Sequence, residues 1–161
     1  MSDLIKSSIG LLQPQISEVD ILKKYEVDAQ VYGDFVHLQE TALNIMKNAM
    51  EAMGDSKILT IRIYETRKNI HIDFIDNGKG IEKDKLSKIL DPFFSTKKKV
   101  GNFGLGLTYC YNVMTKHKGD ITVKSQLGHG TTITLSLPKN RVLNITTIQE
   151  YKNNLSGECY G

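Results

Sequence analysis

The sequence has few cysteines, no long apolar run and no strong excess of one charge, and each shortage excludes a class of protein. The two cysteines, Cys110 and Cys159, have neither the spacing of a zinc site nor the density of a disulfide framework, which favours a reducing compartment. No apolar run reaches the ~18 residues that cross a bilayer, and residues 1–10 lack the apolar centre of a secretion signal. We therefore expect a cytoplasmic chain with no membrane contact by this segment; a longer, membrane-anchored parent protein is compatible with this.

The net charge limits the expected partners. A formal charge of +3 is too small for the strongly basic patch of most nucleic-acid-binding domains, so we do not expect nucleic acid as a partner. A mild positive excess instead suits an anionic small molecule held in one cleft. Hydrophobic residues make up 40% and charged residues 24% of the 161 residues, as in ordinary globular domains, and this length fits one domain with short extensions.

Hydrophobic periodicity predicts the order helix, strand, helix, hairpin, short helix, loop, helix, hairpin. Residues 35–53 have the three- and four-residue spacing of an amphipathic helix, with Asp34 as its N-cap. Alternating apolar residues predict one hairpin over 58–74 and another over 121–137, and a second strong helix covers 105–117. Mostly antiparallel strands with helices on one face predict an α/β two-layer sandwich.

The helix over 35–53 carries an unusual polar stripe. Its members recur on one side of the helix: His37, Thr41, Asn44, Asn48 and Glu51. Asparagine is a poor helix-interior residue, costing roughly 0.5 kcal/mol against alanine, so two of them one turn apart invite a functional reason. A carboxamide oxygen can bind a hard cation such as Mg²⁺. Taken alone, a solvated helix face explains the stripe equally well.

Two glycine-rich segments also carry chemistry. Asp76, Gly78 and Gly80 follow a predicted strand, where glycines let the backbone approach a flat ligand and a carboxylate can accept a hydrogen bond from an adenine amino group. A plain Asn-Gly turn is the alternative. The second segment, 101–107, opens a helix whose N–H groups form an anion site, and Lys97–Lys99 precede it. It is neither a Walker loop nor a Rossmann turn, and the lysines alone fit a solvated loop.

The order of these signals resembles the histidine-kinase branch of the GHKL ATPases, which have the Bergerat nucleotide-binding fold. The segment 43–49 is similar to the N box of that family, 76–80 to the G1 box, Phe93-Phe94 to the F box and 104–106 to the G2 box. The resemblance runs from Leu43 to Thr131. It implies a mixed, mostly antiparallel sheet with helices on one face and a mobile ATP lid.

The resemblance also implies roles for individual residues. Asp76 would accept the adenine amino group, Asn48 would coordinate Mg²⁺, and Asn44 would lie near the phosphates. Lys97 would approach the phosphates when the lid closes, so that Asn44, Asn48 and Lys97 form the catalytic set. The full set of expected ATP-binding residues is Asn44, Asn48, Asp76, Gly78, Gly80, Ile81, Phe94, Lys97, Gly104, Leu105, Gly106, Leu107 and Thr132.

In this branch the reaction is transfer of the ATP γ-phosphoryl group to a histidine on a helical dimerisation domain, which then serves a response regulator. The acceptor histidine is normally followed by Glu or Asp. The four histidines here are followed by Leu, Ile, Lys and Gly: His37, His71, His117 and His129. None resembles the acceptor. We therefore assign 1–15 to the end of a link from a preceding helical domain, 16–139 to the ATP-binding catalytic domain, and 140–161 to a tail or short appended helix.

Three other functions stay open. A gyrase- or MutL-like member of the superfamily would hydrolyse ATP with a glutamate four residues before the magnesium asparagine, a place that Asn44 occupies here and cannot serve as a base. A regulatory module would bind nucleotide and catalyse nothing. A scaffold domain would bind no nucleotide.

Overall fold

The computed structural model describes residues 1–91 and 106–148. In chain order the helices and strands are α1 (Ser2–Leu11), β1 (Asp20–Tyr25), β2 (Val27–Val31), α2 (Phe35–Ala52), β3 (Ile58–Glu65), β4 (Asn69–Asp76), α3 (Lys83–Leu86), α4 (Gly106–Lys116), β5 (Asp120–Ser125), β6 (Thr131–Pro138) and β7 (Val142–Thr147). No helix within these ranges combines the length and apolar character needed to cross a bilayer.

Five strands form the main sheet in the order β1-β3-β4-β6-β5. β1 runs parallel to β3, and every other neighbouring pair is antiparallel. The two predicted hairpins are β3–β4 and β5–β6, and they meet through β4 and β6 in the middle of the sheet. This arrangement brings the end of β4 beside the start of β6.

One face of the sheet packs against the helices. Its alternate residues form the core, and Ile61, Ile63 and Ile70 are completely buried. α2 lies over β4 and packs against both α1 and α4. The predicted α/β two-layer sandwich with helices on one face is therefore confirmed.

α2 begins as the sequence predicts. The Asp34 side chain accepts a hydrogen bond from the backbone N–H of His37, which satisfies one donor in the first helical turn. The backbone N–H of Asp34 itself donates to Nε2 of His117, just beyond the end of α4, at 2.9 Å. Near the middle of the two helices, Sγ of Cys110 on α4 lies 3.7 Å from the carbonyl of Thr41 on α2. The start of α2 thus lies beside the end of α4, and the middles of the two helices are in contact. The two helices therefore run antiparallel.

The C-terminal end of the described chain differs from the sequence prediction, and the N-terminal end is helical. Residues 142–147 form β7 and pair with β2 in a separate antiparallel ribbon, where we expected a tail or a short helix. At the other end, Ile5 of α1 and Leu12, just after this helix, lie in the common hydrophobic core, both at most 1% exposed. Segment 1–15 therefore packs with the rest of the fold, and the three domain boundaries stay predictions.

Candidate functional site

A buried carboxylate ends the core-facing row of β4. Ile72, Phe74 and Asp76 alternate onto the helix-covered face of the sheet, so that an acidic group follows two apolar ones. Oδ1 of Asp76 accepts backbone hydrogen bonds from Gly78 at 2.8 Å and from Thr131 at 3.2 Å. Burial raises the pKa of Asp76, and the two hydrogen bonds act against that rise. Within the described residues these bonds both use Oδ1, which leaves Oδ2 as an acceptor for a ligand.

Strand register lines up three polar residues at this edge of the sheet. Asp76 on β4 lies opposite Thr131 on β6, which in turn lies opposite Ser125 on β5. Paired residues share a face, so all three side chains project to the same side. Thr132, which we expected near the adenine base, lies opposite Ile75 and projects from the other face. The polar residue of β6 beside Asp76 is therefore Thr131, whereas the register places Thr132 on the face away from Asp76.

Two glycines allow the loops of this edge to touch backbone to backbone. Gly80 has φ +70°, and a Cβ on it would overlap the carbonyl of Gln126. Gly130 has φ +87°, and a Cβ there would overlap the carbonyl of Asp76. A side chain at either position would separate the loop after β4 from the β5–β6 turn. Only glycine combines this conformation with this approach.

The loop after β4 is fixed to the elements on either side. The Asn77 side chain accepts from the N–H of Ile58 at 3.0 Å and donates to the carbonyl of Ser56 at 3.0 Å. The backbone N–H of Lys79 donates to the carbonyl of Ala52, at the end of α2. A Cβ on Gly78 would lie 2.7 Å from that same carbonyl oxygen. The loop is thus anchored between α2 and β3, unlike a plain Asn-Gly turn.

The polar stripe of α2 faces α4. Thr41 is completely buried and Asn44 and Asn48 are half-buried, whereas His37 and Glu51 at the two ends of the stripe are exposed, so only the middle of the stripe is withdrawn from solvent. A Cβ on Gly106, the first residue of α4, would lie 3.8 Å from Oδ1 of Asn44 and 4.0 Å from Nδ2 of Asn48. The predicted N-box asparagines therefore meet the last residue of the predicted G2 box.

α2 joins these two groups of residues into one cleft. Asn48 precedes Ala52 by four residues, which is about 6 Å along the helix axis. The carbonyl of Ala52 accepts a hydrogen bond from the loop of Gly78, and the side chain of Asn48 lies beside Gly106. Segments 44–48, 76–80 and 106 thus converge along the last turns of α2, and Ile81 is fixed beside them by its N–H, which donates to Oγ of Ser125 at 2.8 Å.

Several expected site residues lie outside the described ranges. These are Phe93, Phe94, Lys97, Gly104 and Leu105. On either side of that gap, the hydroxyl of Thr108 donates to the carbonyl of Leu90 at 3.2 Å, which holds the two described chain ends together beside the cleft. Leu107 is described, and it is partly buried against the hydrophobic core. This packing neither requires nor excludes contact with a nucleotide, so its role in nucleotide binding stays a prediction.

Sequence reasoning assigned no role to three residues of this site. Asn77, Ser125 and Thr131 act through contacts to segments that are far away in the chain, and Ser125 alone lay outside the motifs of the resemblance. The available signal was Ser125 and Thr131 bracketing a glycine turn in a predicted hairpin, which suggests that they are cross-strand partners.

A cavity lies at the opposite end of the same face. It has a volume of about 260 Å³ and a mostly apolar lining that includes Leu38, Met114 and Leu137. Leu137 is six residues from Thr131 along β6, which is roughly 20 Å at the rise of a strand. This cavity is therefore separate from the cleft at Asp76.

The cleft suits an adenine nucleotide with a hard cation. A carboxylate oxygen lies between two glycine loops, and two carboxamides flank the start of a helix, where N–H groups attract phosphate. Within residues 1–91 and 106–148 no group of three or more His, Cys, Asp or Glu side chains forms a metal site. A cation here would depend on Asn48 together with phosphate oxygens and water, as Mg²⁺ commonly does.

A family model described as the histidine kinase-, DNA gyrase B-, and HSP90-like ATPase family matches residues 33–141, which is more than half of the chain. The chain belongs to this ATPase family. The match starts just before α2 and ends just before β7, so it contains every residue of the cleft. ATP binding is the property that the family description implies.

Curated relatives match a larger share of the chain than the family model does. The chain is 32% identical to sensor histidine kinase ZraS of Escherichia coli (strain K12) over 143 residues, covering 87% of this chain and 30% of that protein. It is 34% identical to sporulation kinase A of Bacillus subtilis (strain 168) over 142 residues, covering 86% of this chain and 23% of that kinase. The chain thus spans less than a third of the length of these relatives.

Solved structures share the fold of this ATPase domain. The mycobacterial sensor histidine kinase MprB superposes with a TM-score of 0.77 at 24% identity, covering 86% of this chain and 93% of that one. The catalytic domain of histidine kinase ThkA gives 0.76 at 25% identity, with the same two coverages. ThkA in complex with the response regulator protein TrrA gives 0.72 at 22% identity, covering 86% of this chain and 40% of that one.

Proposed function

We propose that this chain is the ATP-binding catalytic domain of a sensor histidine kinase, which donates the γ-phosphoryl group of ATP to a histidine on a separate helical domain. The convergence of Asp76, Gly106 and the asparagines of α2 in one cleft is the observation that carries the proposal. The similarity to sensor and sporulation kinases supports the kinase branch of the family.

Asp76 would select the base. Two backbone N–H groups hold its Oδ1, so the carboxylate cannot turn freely, and Oδ2 remains to accept the amino group of adenine. Guanine carries a carbonyl oxygen at the same place, and two facing acceptors repel each other. Gly78 and Gly80 would let the base approach the backbone of the loop.

The other end of the cleft would hold the phosphates. Asn48 would contribute its carboxamide oxygen to Mg²⁺, and Asn44 would lie beside the phosphate chain, near the start of α4. Bound Mg²⁺ would neutralise charge on the transferring phosphoryl group. Lys97 would add a positive charge from the lid, a role that lies outside the described residues.

The chemistry would depend on positioning and charge neutralisation. The nucleophile is a neutral imidazole nitrogen, which needs little base assistance, and this agrees with the absence of a carboxylate at position 44. Hydrolysis of the gyrase or MutL type is less favoured, because Asn44 cannot activate water. The partners would be a helical dimerisation domain carrying the acceptor and, after it, a response regulator, as with the ThkA–TrrA pair.

A transfer assay tests this function. The 161-residue chain is incubated with γ-labelled ATP, Mg²⁺ and a helical domain that carries an acceptor histidine, and acid-labile phosphate on that domain is measured. The matched control is the same domain with its histidine replaced by glutamine. We expect label on the first domain only. ATP binding without transfer would support a nucleotide-binding regulatory module instead, and no ATP binding in a calorimetric titration would sink both proposals.

A further inference from the structure

Ser125 lies at the end of β5 and connects three segments of the nucleotide cleft. Its Oγ accepts from the backbone N–H of Ile81 at 2.8 Å, donates to the carbonyl of Gly130 at 2.8 Å, and lies 2.9 Å from Oγ1 of Thr131. These neighbours belong to the loop after β4, the β5–β6 turn and the start of β6. One hydroxyl therefore holds together the loops that surround Asp76.

The hydrogen-bonding capacity of this hydroxyl fixes the direction of its third contact. A serine hydroxyl has one hydrogen to donate and two lone pairs to accept with. The carbonyl of Gly130 can only accept, so it takes the hydrogen of Ser125, and the N–H of Ile81 takes one lone pair. The remaining lone pair can serve the third contact only if Thr131 is the donor. This is the one assignment that satisfies all three contacts.

The direction matters because Thr131 is the cross-strand neighbour of Asp76. The two residues are directly paired on β4 and β6, and the N–H of Thr131 already donates to the carboxylate of Asp76. With its hydroxyl hydrogen directed to Ser125, Thr131 presents only lone pairs toward the cleft. The ionised Asp76 is likewise an acceptor only. The Asp76 carboxylate and the Thr131 hydroxyl, which together form the Asp76–Thr131 edge, then offer only hydrogen-bond acceptors to a bound base.

We propose that Ser125 is a positioning residue for base selection: it keeps the Thr131 hydroxyl hydrogen away from Asp76, so that the Asp76–Thr131 edge favours the donor group of adenine over the carbonyl of guanine. This inference rests on the proposed nucleotide-binding function of the cleft and deepens it. Without Ser125, the Thr131 hydroxyl can turn and donate to Asp76, where it competes with the adenine amino group. It can also donate to a guanine carbonyl.

Calorimetric titration with MgATP and MgGTP tests the proposal through the ratio of the two affinities. For Ser125→Ala we expect weaker ATP binding and an ATP-to-GTP affinity ratio reduced by about five- to tenfold, the scale of one redirected hydrogen bond. A serine with a purely structural role would weaken both nucleotides equally, so an unchanged ratio overturns the proposal. Ser125→Thr retains the hydroxyl and should restore the parental ratio; failure to restore it also counts against the proposal.

Two further variants separate the Thr131 hydroxyl from general loosening of the loops. In the Ser125→Ala background, Thr131→Val removes the released donor, so part of the lost discrimination should return; no recovery contradicts the proposal. Ser136→Ala is the matched control, because this serine lies on β6 and bonds to Nδ1 of His71 on the opposite face of the sheet. Its nucleotide ratio should equal that of the parent chain.

The outcomes separate this inference from the function on which it rests. A parent chain that binds neither nucleotide overturns both. A parent chain that prefers ATP, with Ser125→Ala unchanged in its ratio, overturns the role of Ser125 alone. If the alanine variant does not fold, Ser125→Cys carries the same test, because it keeps a side chain of similar shape with a much weaker hydrogen-bonding group. Thermal unfolding of each variant identifies that case.

Discussion

Gly130 lies against the carbonyl oxygen of Asp76 so closely that a Cβ on this glycine would overlap it. Gly128, two residues earlier, has a similar positive φ of +80° but no atom within 4 Å of a Cβ at its position. Substitutions at these two glycines therefore measure two different costs. At Gly128 the cost is that of a left-handed backbone conformation alone, and at Gly130 the overlap with Asp76 is added.

Gly130→Ala and Gly128→Ala should differ strongly in stability. We expect Gly128→Ala to cost about 1 kcal/mol, because it introduces only the left-handed strain of an L-residue. Gly130→Ala adds backbone overlap at Asp76, and we expect a loss of at least about 3 kcal/mol together with weaker ATP binding. Chemical denaturation measures both costs. Equal losses for the two variants would contradict the close approach of the two loops.

Asp76→Asn should weaken ATP binding. The amide keeps an oxygen for the N–H groups of Gly78 and Thr131 but places an NH₂ donor where Oδ2 would accept from adenine. We expect a loss of about 1–3 kcal/mol in a calorimetric titration, since a charge-assisted hydrogen bond is removed. An unchanged affinity in a folded variant would disprove the assignment of Asp76 to the base.

In the absence of ligand, Asp76→Asn should become more stable than the parent chain, by a margin that grows as the pH rises. Burial raises the pKa of Asp76 above its ordinary value of 3.8, so the folded state holds the proton more tightly than the unfolded state. That contribution is fully present below pH 3.8 and is lost as the pH rises through the folded-state pKa. Asp76→Asn does not ionise, so its thermal midpoint should exceed that of the parent increasingly across this window. Parallel curves for the two proteins would argue against an ionisation cost at Asp76.

Asn48→Asp should disturb Mg²⁺ binding more than adenine binding. The new carboxylate changes the charge of the expected metal contact beside Gly106, while the base contacts at Asp76 stay intact. We expect the Mg²⁺-dependent part of the ATP affinity to change by at least about tenfold. Titrations with and without Mg²⁺ measure this part, and affinity for the nucleoside adenosine provides the control. If metal dependence were the same in both proteins, Asn48 would not be the metal contact.

His117→Phe should destabilise the fold through α2 rather than through the cleft. Nε2 accepts the N–H of Asp34 at 2.9 Å and Nδ1 lies 2.8 Å from the carbonyl of Val113, so a neutral ring with its hydrogen on Nδ1 serves both contacts. Phenylalanine removes the acceptor of the Asp34 N–H, at a cost of about 0.5–1.5 kcal/mol. His129→Phe, at an exposed position, is the control. A stability equal to that of the control would show that the contact does not stabilise α2.

The spacing of hydrophobic residues predicted most helices and strands correctly, because it depends only on residues that are close together in the chain. The spacing of Leu38, Ala42 and Ile45 indicated α2, and Asp34 indicated its start, as the structure confirms. Residues 142–147 were wrongly predicted as a tail or helix, because an exposed strand in a two-stranded ribbon has weak alternation of its own. Its strand character depends on β2, more than 100 residues earlier in the chain.

The sequence by itself determined the alternation of helices and strands and the spaced motifs around Asn48, Asp76 and Gly106, since these are features of neighbouring residues. Tertiary structure alone decided which strands pair, and hence that Thr131 rather than Thr132 lies beside Asp76. The physical reason is that side chains alternate along a strand, so a shift of one residue in register reverses the face. Register at this edge is set by contacts between distant segments, such as the N–H of Thr131 with Asp76 and the hydroxyl of Ser125 with the loop after β4.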